Sequence, residues 1–223
     1  MGAGRQHIPR PEAWRPGPPP PWADRDLSVL SDPDETLARL ARHLDDSGAA
    51  PSAADTDARL RPSAVLVPFV VDDGLPALVL TRRSPHLTHH KGEVSFPGGR
   101  LDPGESPVDA ALREAHEEIA LAPHCVTVLG RLGSLTTYAS NSAITPVVAR
   151  VIGSPEFVPN VAEVERVFVV ALRDLAAPGV FSQELWPIAG APSSIHFYDL
   201  ADDILWGVTG RMVTNMLDLI TRS

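Results

Sequence analysis

The chain has 223 residues, of which 43% are hydrophobic and 21% charged, so it fits one substantial globular domain with a tail, or two small domains. Its net charge of −9 and pI near 5.3 argue against nucleic acid or an anionic membrane as the main partner. The only cysteine, Cys125, excludes an intrachain disulfide and a cysteine-rich metal site. No segment resembles a signal peptide or reaches the ~20 apolar residues of a membrane helix, so we expect a cytoplasmic protein.

The first 25 residues differ in composition from the rest of the chain. They are rich in proline and poor in aliphatic residues, which predicts an extended, flexible tail at 1–25 and a folded domain at 26–223. A competing interpretation is that Trp14 and Trp22 dock onto the folded body or onto a partner subunit.

The remaining chain shows helix and strand patterns in alternation. Pro33 follows a capping residue and begins a predicted helix. The apolar runs 63–71 and 76–81 flank "DDGL", which predicts a hairpin. The further predicted elements, in chain order, are a helix at 107–119, strands at 126–133 and 143–152, a strand running into a short helix at 164–175, a strand at 194–200 and a closing helix at 204–223. The pattern predicts a mixed α/β domain in which helices cover a sheet.

The hexapeptide "REAHEE" at 113–118 carries three carboxylates within little more than one helical turn. On a helix Glu114, Glu117 and Glu118 would share one face, about 5–6 Å apart at Cβ, and would repel one another. Solvent with counter-ions, a neighbouring cation such as Arg113, or a bound divalent metal could each offset that repulsion.

The surrounding stretch "GGRLDPGESPVDAALREAHEEIAL" at 98–121 resembles the Nudix box, G-x5-E-x7-R-E-U-x-E-E-x-G-U, where U is an apolar residue. The positions in register are Gly99, Glu105, Arg113, Glu114, Ala115, Glu117, Glu118 and Leu121. Ala120 departs from the pattern, because the family has glycine there. The resemblance implies an α/β fold, a Nudix-type α/β/α sandwich with a mixed sheet, and hydrolysis of a pyrophosphate bond with Mg²⁺ or Mn²⁺.

The same resemblance implies roles for the matched residues. The metal ligands would be Glu114 and Glu118, joined by Glu117 as a ligand or base and by the carbonyl of Gly99. Oxygen donors of this kind suit Mg²⁺, which keeps several of its waters. Arg113 would pair with Glu105 or with a helix glutamate to fix their orientation. A general base often comes from a later loop in this family, and Glu163 is our candidate, with Glu156 and Glu165 as rivals.

Residues 80–102, "LTRRSPHLTHHKGEVSFPGGRLD", resemble a second signature, that of the Nudix subgroup acting on coenzyme A and its derivatives. Thr88 departs from it, standing where arginine is common. The loop at 82–92 also gathers cationic or donor side chains, which suits an anionic substrate. Those side chains are Arg82, Arg83, His89, His90 and Lys91, and the expected substrate-binding residues are Arg83, His90, Lys91 and Gly98.

The resemblance implies cleavage of coenzyme A or acyl-CoA to 3′,5′-ADP and 4′-phosphopantetheine or its acyl form. The expected partner is this small nucleotide substrate, with neither nucleic acid nor membrane, and a homodimer is one possible assembly. Two alternatives stay open. One is a Nudix pyrophosphatase for ADP-ribose or dinucleotides, and the other is a non-catalytic, nucleotide-binding regulatory module.

Overall fold

A mixed eight-stranded sheet forms the centre of the computed structural model, which describes residues 6, 8–45, 59–137, 141–188 and 190–222. The helices are α1 (Pro33–Ala41), α2 (Pro107–Ile119), α3 (Leu172–Leu175) and α4 (Gly207–Thr221). The strands are β1 (Arg15–Pro16), β2 (Arg61–Asp72), β3 (Leu75–Arg83), β4 (Val94–Ser95), β5 (Gly98–Arg100), β6 (Val126–Arg131), β7 (Leu135–Thr137), β8 (Ser142–Val151), β9 (Val164–Ala171), β10 (Phe181–Ile188), β11 (Ala191–Asp199) and β12 (Ile204–Trp206).

The large sheet follows the order β4-β3-β2-β8-β6, and β5, β7 and β9 pair with β2, β8 and β3 respectively. β2 and β3 form the predicted hairpin, whose turn residues Asp73 and Gly74 both have positive φ, as a tight two-residue turn requires. β2 also pairs with β8 in parallel, so the sheet is mixed. A parallel pair needs a long crossover, and α2 lies within that crossover.

Helices cover both faces of the large sheet, because the central strands are apolar on both sides. Along β3, Leu78 and Leu80 belong to one core cluster, which also contains residues of α4. Val79 points to the other face and packs in a second cluster with the apolar side of α2. This alternation is the period-2 pattern of a strand. The predicted α/β/α arrangement with a mixed sheet is confirmed.

A second sheet, with the order β1-β10-β11-β12, lies on the α4 side of the molecule. Tyr198 and Phe181 of this sheet pack in the main core, and the hydroxyl of the fully buried Tyr198 shares a 2.8 Å hydrogen bond with that of Thr214 in α4. β12 lies beside β4, so the small sheet reaches the large one at the strand that precedes β5 in the chain.

The predicted flexibility of the N-terminal tail is wrong for residues 8–25. Trp22 is only 2% exposed and packs edge-on against Phe181, and β1 pairs with β10. Arg10 forms an ion pair with the buried Glu184 and lies over the ring of Trp14. The interpretation that Trp22 docks onto the folded body is therefore confirmed. Burial of its large indole stabilises this position of the proline-rich segment. Residues 1–5 and 7 lie outside the described part.

Among the described residues, no helix is both long and apolar enough to cross a membrane. Cys125 is half-buried and its thiol is free.

Candidate functional site

Helix α2 presents one apolar and one acidic side, and both follow from its sequence. Ser106 caps the first turn by accepting the N–H of Asp109 at 3.2 Å, and Pro107 occupies the first helical position. The side chains that pack under the sheet are Ala110, Ala111, Ala115 and Ile119, all buried. The three alanines are small and let the helix approach the sheet closely. The glutamates of the helix therefore lie near the edge of the sheet.

Arg113 ties together the acidic groups at the N-terminal side of the cluster. Its Nε and Nη2 donate to the two carboxylate oxygens of Glu105 at 2.9 and 3.0 Å, a bidentate arrangement that favours arginine. Its Nη1 donates to Glu114 at 2.9 Å and to Glu117 at 3.2 Å. The hydrogen bonds that Arg113 donates to Glu105 hold the pKa of Glu105 below its ordinary value, and the same hydrogen bonds raise the pKa of Arg113. Arg113 therefore stays protonated and orients these carboxylates.

Glu118 is the most deeply buried carboxylate of the cluster, with its side chain 3% exposed. Oε2 accepts the backbone N–H of Gly98 at 3.1 Å, and Oε1 lies 3.7 Å from Nη1 of Arg83. Burial raises the pKa of Glu118 to about 7, and the charges of Glu114 and Glu163 act in the same direction, while Arg83 and the Gly98 hydrogen bond oppose the shift. A charged group in such a place binds a cation strongly, because the cation replaces lost solvation.

Glu114 faces the backbone of Gly99. A Cβ added to Gly99 would lie 2.5 Å from Cδ of Glu114, so only glycine lets the strand approach this carboxylate. Burial raises the pKa of Glu114, Arg113 opposes this shift, and the charges of Glu117 and Glu163 add to it. Glu117, by contrast, is 55% exposed and turned towards Arg113.

The loop before β9 brings Glu163 to the end of α2. The N–H groups of Val158 and Asn160 donate to the last helix carbonyls, those of Ile119 and Glu118, at 3.1 and 2.8 Å. The carbonyl of Asn160 accepts the N–H of Glu163 at 2.9 Å, so the same residue connects α2 with Glu163. Among the three candidate bases, Glu163 contributes to the raised pKa values of Glu114 and Glu118, whereas Glu165 forms an ion pair with Arg82.

The loop between β3 and β4 is closed by a backbone pair. The N–H of Arg83 donates to Glu93 at 2.9 Å, and that of Gly92 donates back to Arg83 at 3.1 Å. His90 has a positive φ of 55°, and its Nδ1 lies 2.9 Å from Glu93, a hydrogen bond that raises its pKa. Lys91 is exposed.

Arg82 and Arg83 do not face the same way, because successive strand residues alternate. Arg83 points to α2 and the carboxylate cluster, whereas Arg82 points to the small sheet and pairs with Glu165 and Asp203 at 3.0 and 3.1 Å. The expectation that Arg82 belongs to the anion-binding loop is therefore wrong. Sequence reasoning also passed over Asp203, which only the pairing of the two sheets brings beneath the loop.

The donor set around Gly99 fits a hard divalent cation. Glu114, Glu118 and the Gly99 backbone supply oxygen atoms, and the lack of a side chain on Gly99 brings its backbone against the Glu114 carboxylate. Within the described ranges, no three His, Cys, Asp or Glu side chains are gathered tightly enough to form a complete coordination group. A metal with several retained waters, as Mg²⁺ prefers, needs no third carboxylate in place.

The protein has a mixed α/β fold in which a carboxylate cluster on helix α2 faces the glycines that begin β5. The NUDIX domain model matches residues 60–187, more than half of the chain, and the protein belongs to this family. It is a Nudix hydrolase, and hydrolases of this family generally use divalent metals.

Two curated relatives agree with that assignment. Nudix hydrolase 3 of Caenorhabditis elegans is 34% identical over 185 residues, covering 74% of this chain and 75% of its own. A Yersinia pestis protein named uncharacterized Nudix hydrolase NudL is 32% identical over 162 residues, covering 72% and 80%. The solved structure of RenU, a Nudix hydrolase from M. smegmatis, is 27% identical with a TM-score of 0.46, covering 53% of this chain and 78% of its own.

Proposed function

We propose that this Nudix hydrolase cleaves the pyrophosphate bond of coenzyme A or acyl-CoA, using Mg²⁺ or Mn²⁺, to give 3′,5′-ADP and 4′-phosphopantetheine or its acyl form. The observation that carries the proposal is the position of Arg83. It belongs to the signature of the coenzyme A subgroup, and its guanidinium lies 3.7 Å from Glu118, at the carboxylate cluster. A phosphate placed there would meet both the arginine and the metal-binding groups.

In this proposal Glu114, Glu118 and the Gly99 carbonyl hold the metal, with Glu117 as a further ligand or base. A bound metal would polarise the phosphoryl oxygens and lower the pKa of a coordinated water. Arg113, itself held by Glu105, keeps the helix glutamates oriented.

Glu163 is the proposed base. It takes a proton from water as the water oxygen bonds to phosphorus, and the bond from that phosphorus to the bridging oxygen breaks. The bridging oxygen leaves with the other phosphate. Glu163 suits this role because the hydrogen bonds of Asn160 anchor it beside the end of α2.

The substrate phosphates would meet the cationic loop before β5, where Arg83, His90 and Lys91 lie, next to Gly98, whose N–H donates to Glu118. The hydrogen bond with Glu93 raises the pKa of His90, which favours the protonated imidazole, and its Nε2–H would donate to a phosphate. A cytoplasmic location and a homodimeric assembly stay predictions from the sequence.

A Nudix pyrophosphatase for ADP-ribose or a dinucleotide is the alternative that Thr88 favours, because this residue supplies no positive charge where the subgroup signature commonly has arginine. The deciding experiment incubates the protein with Mg²⁺ and equal concentrations of coenzyme A, dephospho-coenzyme A, ADP-ribose or NADH, and identifies products by mass spectrometry. We expect 3′,5′-ADP and 4′-phosphopantetheine as the fastest-formed products. Faster hydrolysis of ADP-ribose or NADH contradicts the proposal, and no turnover of any compound would favour the regulatory module.

A further inference from the structure

A buried ion-pair network lies on the opposite side of β3 from the carboxylate cluster. Asp203, whose side chain is 1% exposed, forms an ion pair with Arg82 through one oxygen, at 3.1 Å, and accepts a hydrogen bond from Arg166 through the other. Arg82, with its side chain 10% exposed, also reaches Glu165 at 3.0 Å. A carboxylate taken this far out of water is costly unless cations pair with it, so the network holds its members in place.

The network joins three segments at one point. Arg82 is the penultimate residue of β3, Glu165 lies in β9 two residues after Glu163, and Asp203 immediately precedes β12 of the small sheet. The turn before β12 is closed by hydrogen bonds between the backbones of Leu200 and Asp203, at 2.9 and 3.3 Å. The turn therefore holds Asp203 in one position, and the ion pair with Asp203 restricts the side chain of Arg82.

Arg82 supports the base of the loop at 84–91. A Cβ built on Gly92 would lie 3.9 Å from Nε and Nη2 of Arg82, so the guanidinium lies beside Gly92, on the side where another residue would carry its side chain. Gly92 is also the residue whose N–H closes the loop onto Arg83. Its φ of +65° is one that other residues rarely adopt, and a support below it restricts the directions in which the loop can leave the strand.

We propose that Arg82, held by Asp203, is a positioning residue for the substrate loop: it fixes Gly92 from behind and thereby sets where Arg83, His90 and Lys91 meet the substrate. Arg82 itself does not touch the substrate, since it points to the other face of the sheet. The inference rests on the proposed function in one respect, namely that the loop at 84–92 contacts the substrate.

Arg166 provides the matched control. It pairs with the same carboxylate as Arg82, but its side chain is 41% exposed and its guanidinium lies over the ring of Phe168. Both Arg82→Met and Arg166→Met remove one cation from Asp203, so both should lower the melting temperature. A purely structural role for the network predicts that they behave alike in every other measurement.

The test compares the two variants at a temperature where both are folded. We expect Arg82→Met to raise KM about 10-fold with kcat within about 3-fold of wild type, because the substrate loop loses its position while every reacting group is retained. Amide hydrogen exchange at Gly92 should become at least about 10-fold faster. Arg166→Met should change neither quantity. Arg82→Lys, which retains the charge but loses the planar fork, should give a smaller rise in KM.

The kinetics use whichever compound of the four-substrate panel the wild type hydrolyses fastest, so a different substrate leaves the test intact. The exchange measurement needs no substrate and separates a failure of this inference from a failure of the proposed function. An unchanged Gly92 exchange rate in Arg82→Met overturns the inference, as does an unchanged KM or an equal rise in KM in Arg166→Met. If Arg82→Met does not fold, the same criteria apply to Arg82→Lys.

Discussion

Gly99 and Glu114 lie so close that a single methyl group on Gly99 would reach within 2.5 Å of the Glu114 carboxylate carbon. The backbone of β5 and the carboxylate of Glu114 in α2 are thus in contact, and we propose that the metal binds beside this contact. Neither residue could take this position if the other were replaced by a larger one.

We expect Gly99→Ala to displace Glu114 and to lower kcat/KM by about 10- to 100-fold, the range seen when metal ligands lose their orientation. Overpacking should also lower the free energy of unfolding by about 1–3 kcal/mol. Gly133→Ala is the control, because nothing lies within 4 Å of its Cβ position. Kinetics and thermal melts of both variants check this, and full activity in Gly99→Ala would contradict the placement of the metal.

Glu118→Gln should keep the fold and lower kcat at least about 100-fold. Loss of a residue that only hydrogen-bonds to a metal ligand lowers affinity or activity by about 10- to 100-fold, and loss of a ligand should cost more. The amide oxygen can still accept the N–H of Gly98, but it lacks the charge that holds the cation. Glu12→Gln removes an exposed glutamate and should leave turnover unchanged. Turnover of Glu118→Gln within about threefold of wild type would reject Glu118 as a ligand.

Glu118 should make the metal-free protein less stable as pH rises from about 4.5 to about 7. The buried His196, whose pKa burial lowers to about 4, acts in the opposite direction over nearly the same window, so the Glu118 contribution is measured as a difference between wild type and Glu118→Gln. The pKa of Glu118 is raised to about 7 in the folded chain from 4.5 in the unfolded one, so the folded state binds more protons in this window. Charging the buried carboxylate therefore costs up to about 3 kcal/mol, at ~1.4 kcal/mol per pKa unit. Denaturant titrations in EDTA at several pH values measure the slope. Stability should rise more steeply with pH, or fall less steeply, in Glu118→Gln than in wild type, and an identical slope in both proteins would contradict the assignment.

Ala120→Gly should stabilise the protein. Ala120 ends α2 with φ 55° and ψ 23°, a left-handed conformation that costs a residue with a Cβ about 1–2 kcal/mol. Glycine removes that strain but has more freedom in the unfolded chain, so we expect a net gain of about 0.5–1 kcal/mol. Ala38→Gly, at an exposed right-handed position in α1, should instead destabilise by a similar amount. If denaturant melts show that both variants change the free energy of unfolding in the same direction, Ala120 is not strained.

Arg83→Ala tests whether this arginine recognises the 3′-phosphate. A charge-assisted hydrogen bond is worth about 1.5–3 kcal/mol, so wild type should prefer coenzyme A over dephospho-coenzyme A by roughly 10- to 100-fold in kcat/KM. The variant should lower activity on both compounds, because Arg83 also lowers the pKa of Glu118, and should shrink the ratio between them. Lys91→Ala is the comparison on the same loop. If Arg83→Ala leaves the ratio of kcat/KM for coenzyme A and dephospho-coenzyme A unchanged, another residue contacts the 3′-phosphate.

Local sequence was enough to predict the elements whose turn, capping and periodicity signals lie within their own segment. The Asp73-Gly74 hairpin, the limits of α2 and the buried faces of both follow from turn chemistry, capping and periodicity, and the structure confirms them. The left-handed Ala120 was likewise predictable, since the family pattern has glycine at that position. The carboxylate spacing on α2 predicted the cluster because residues three and four apart share a helix face in any helix.

Tertiary structure alone decided which groups meet across the chain. The proline-rich segment looked free because nothing nearby in sequence shows that Trp22 finds a pocket beside Phe181, in a distant part of the chain. The two adjacent arginines looked equivalent, yet strand alternation sends Arg83 to the carboxylates and Arg82 to Asp203, whose position depends on how the second sheet packs. Composition and periodicity describe a residue's own segment. Burial and pairing between distant segments depend on the packing of the whole domain, and that packing decided the surroundings of Glu118 and Arg82.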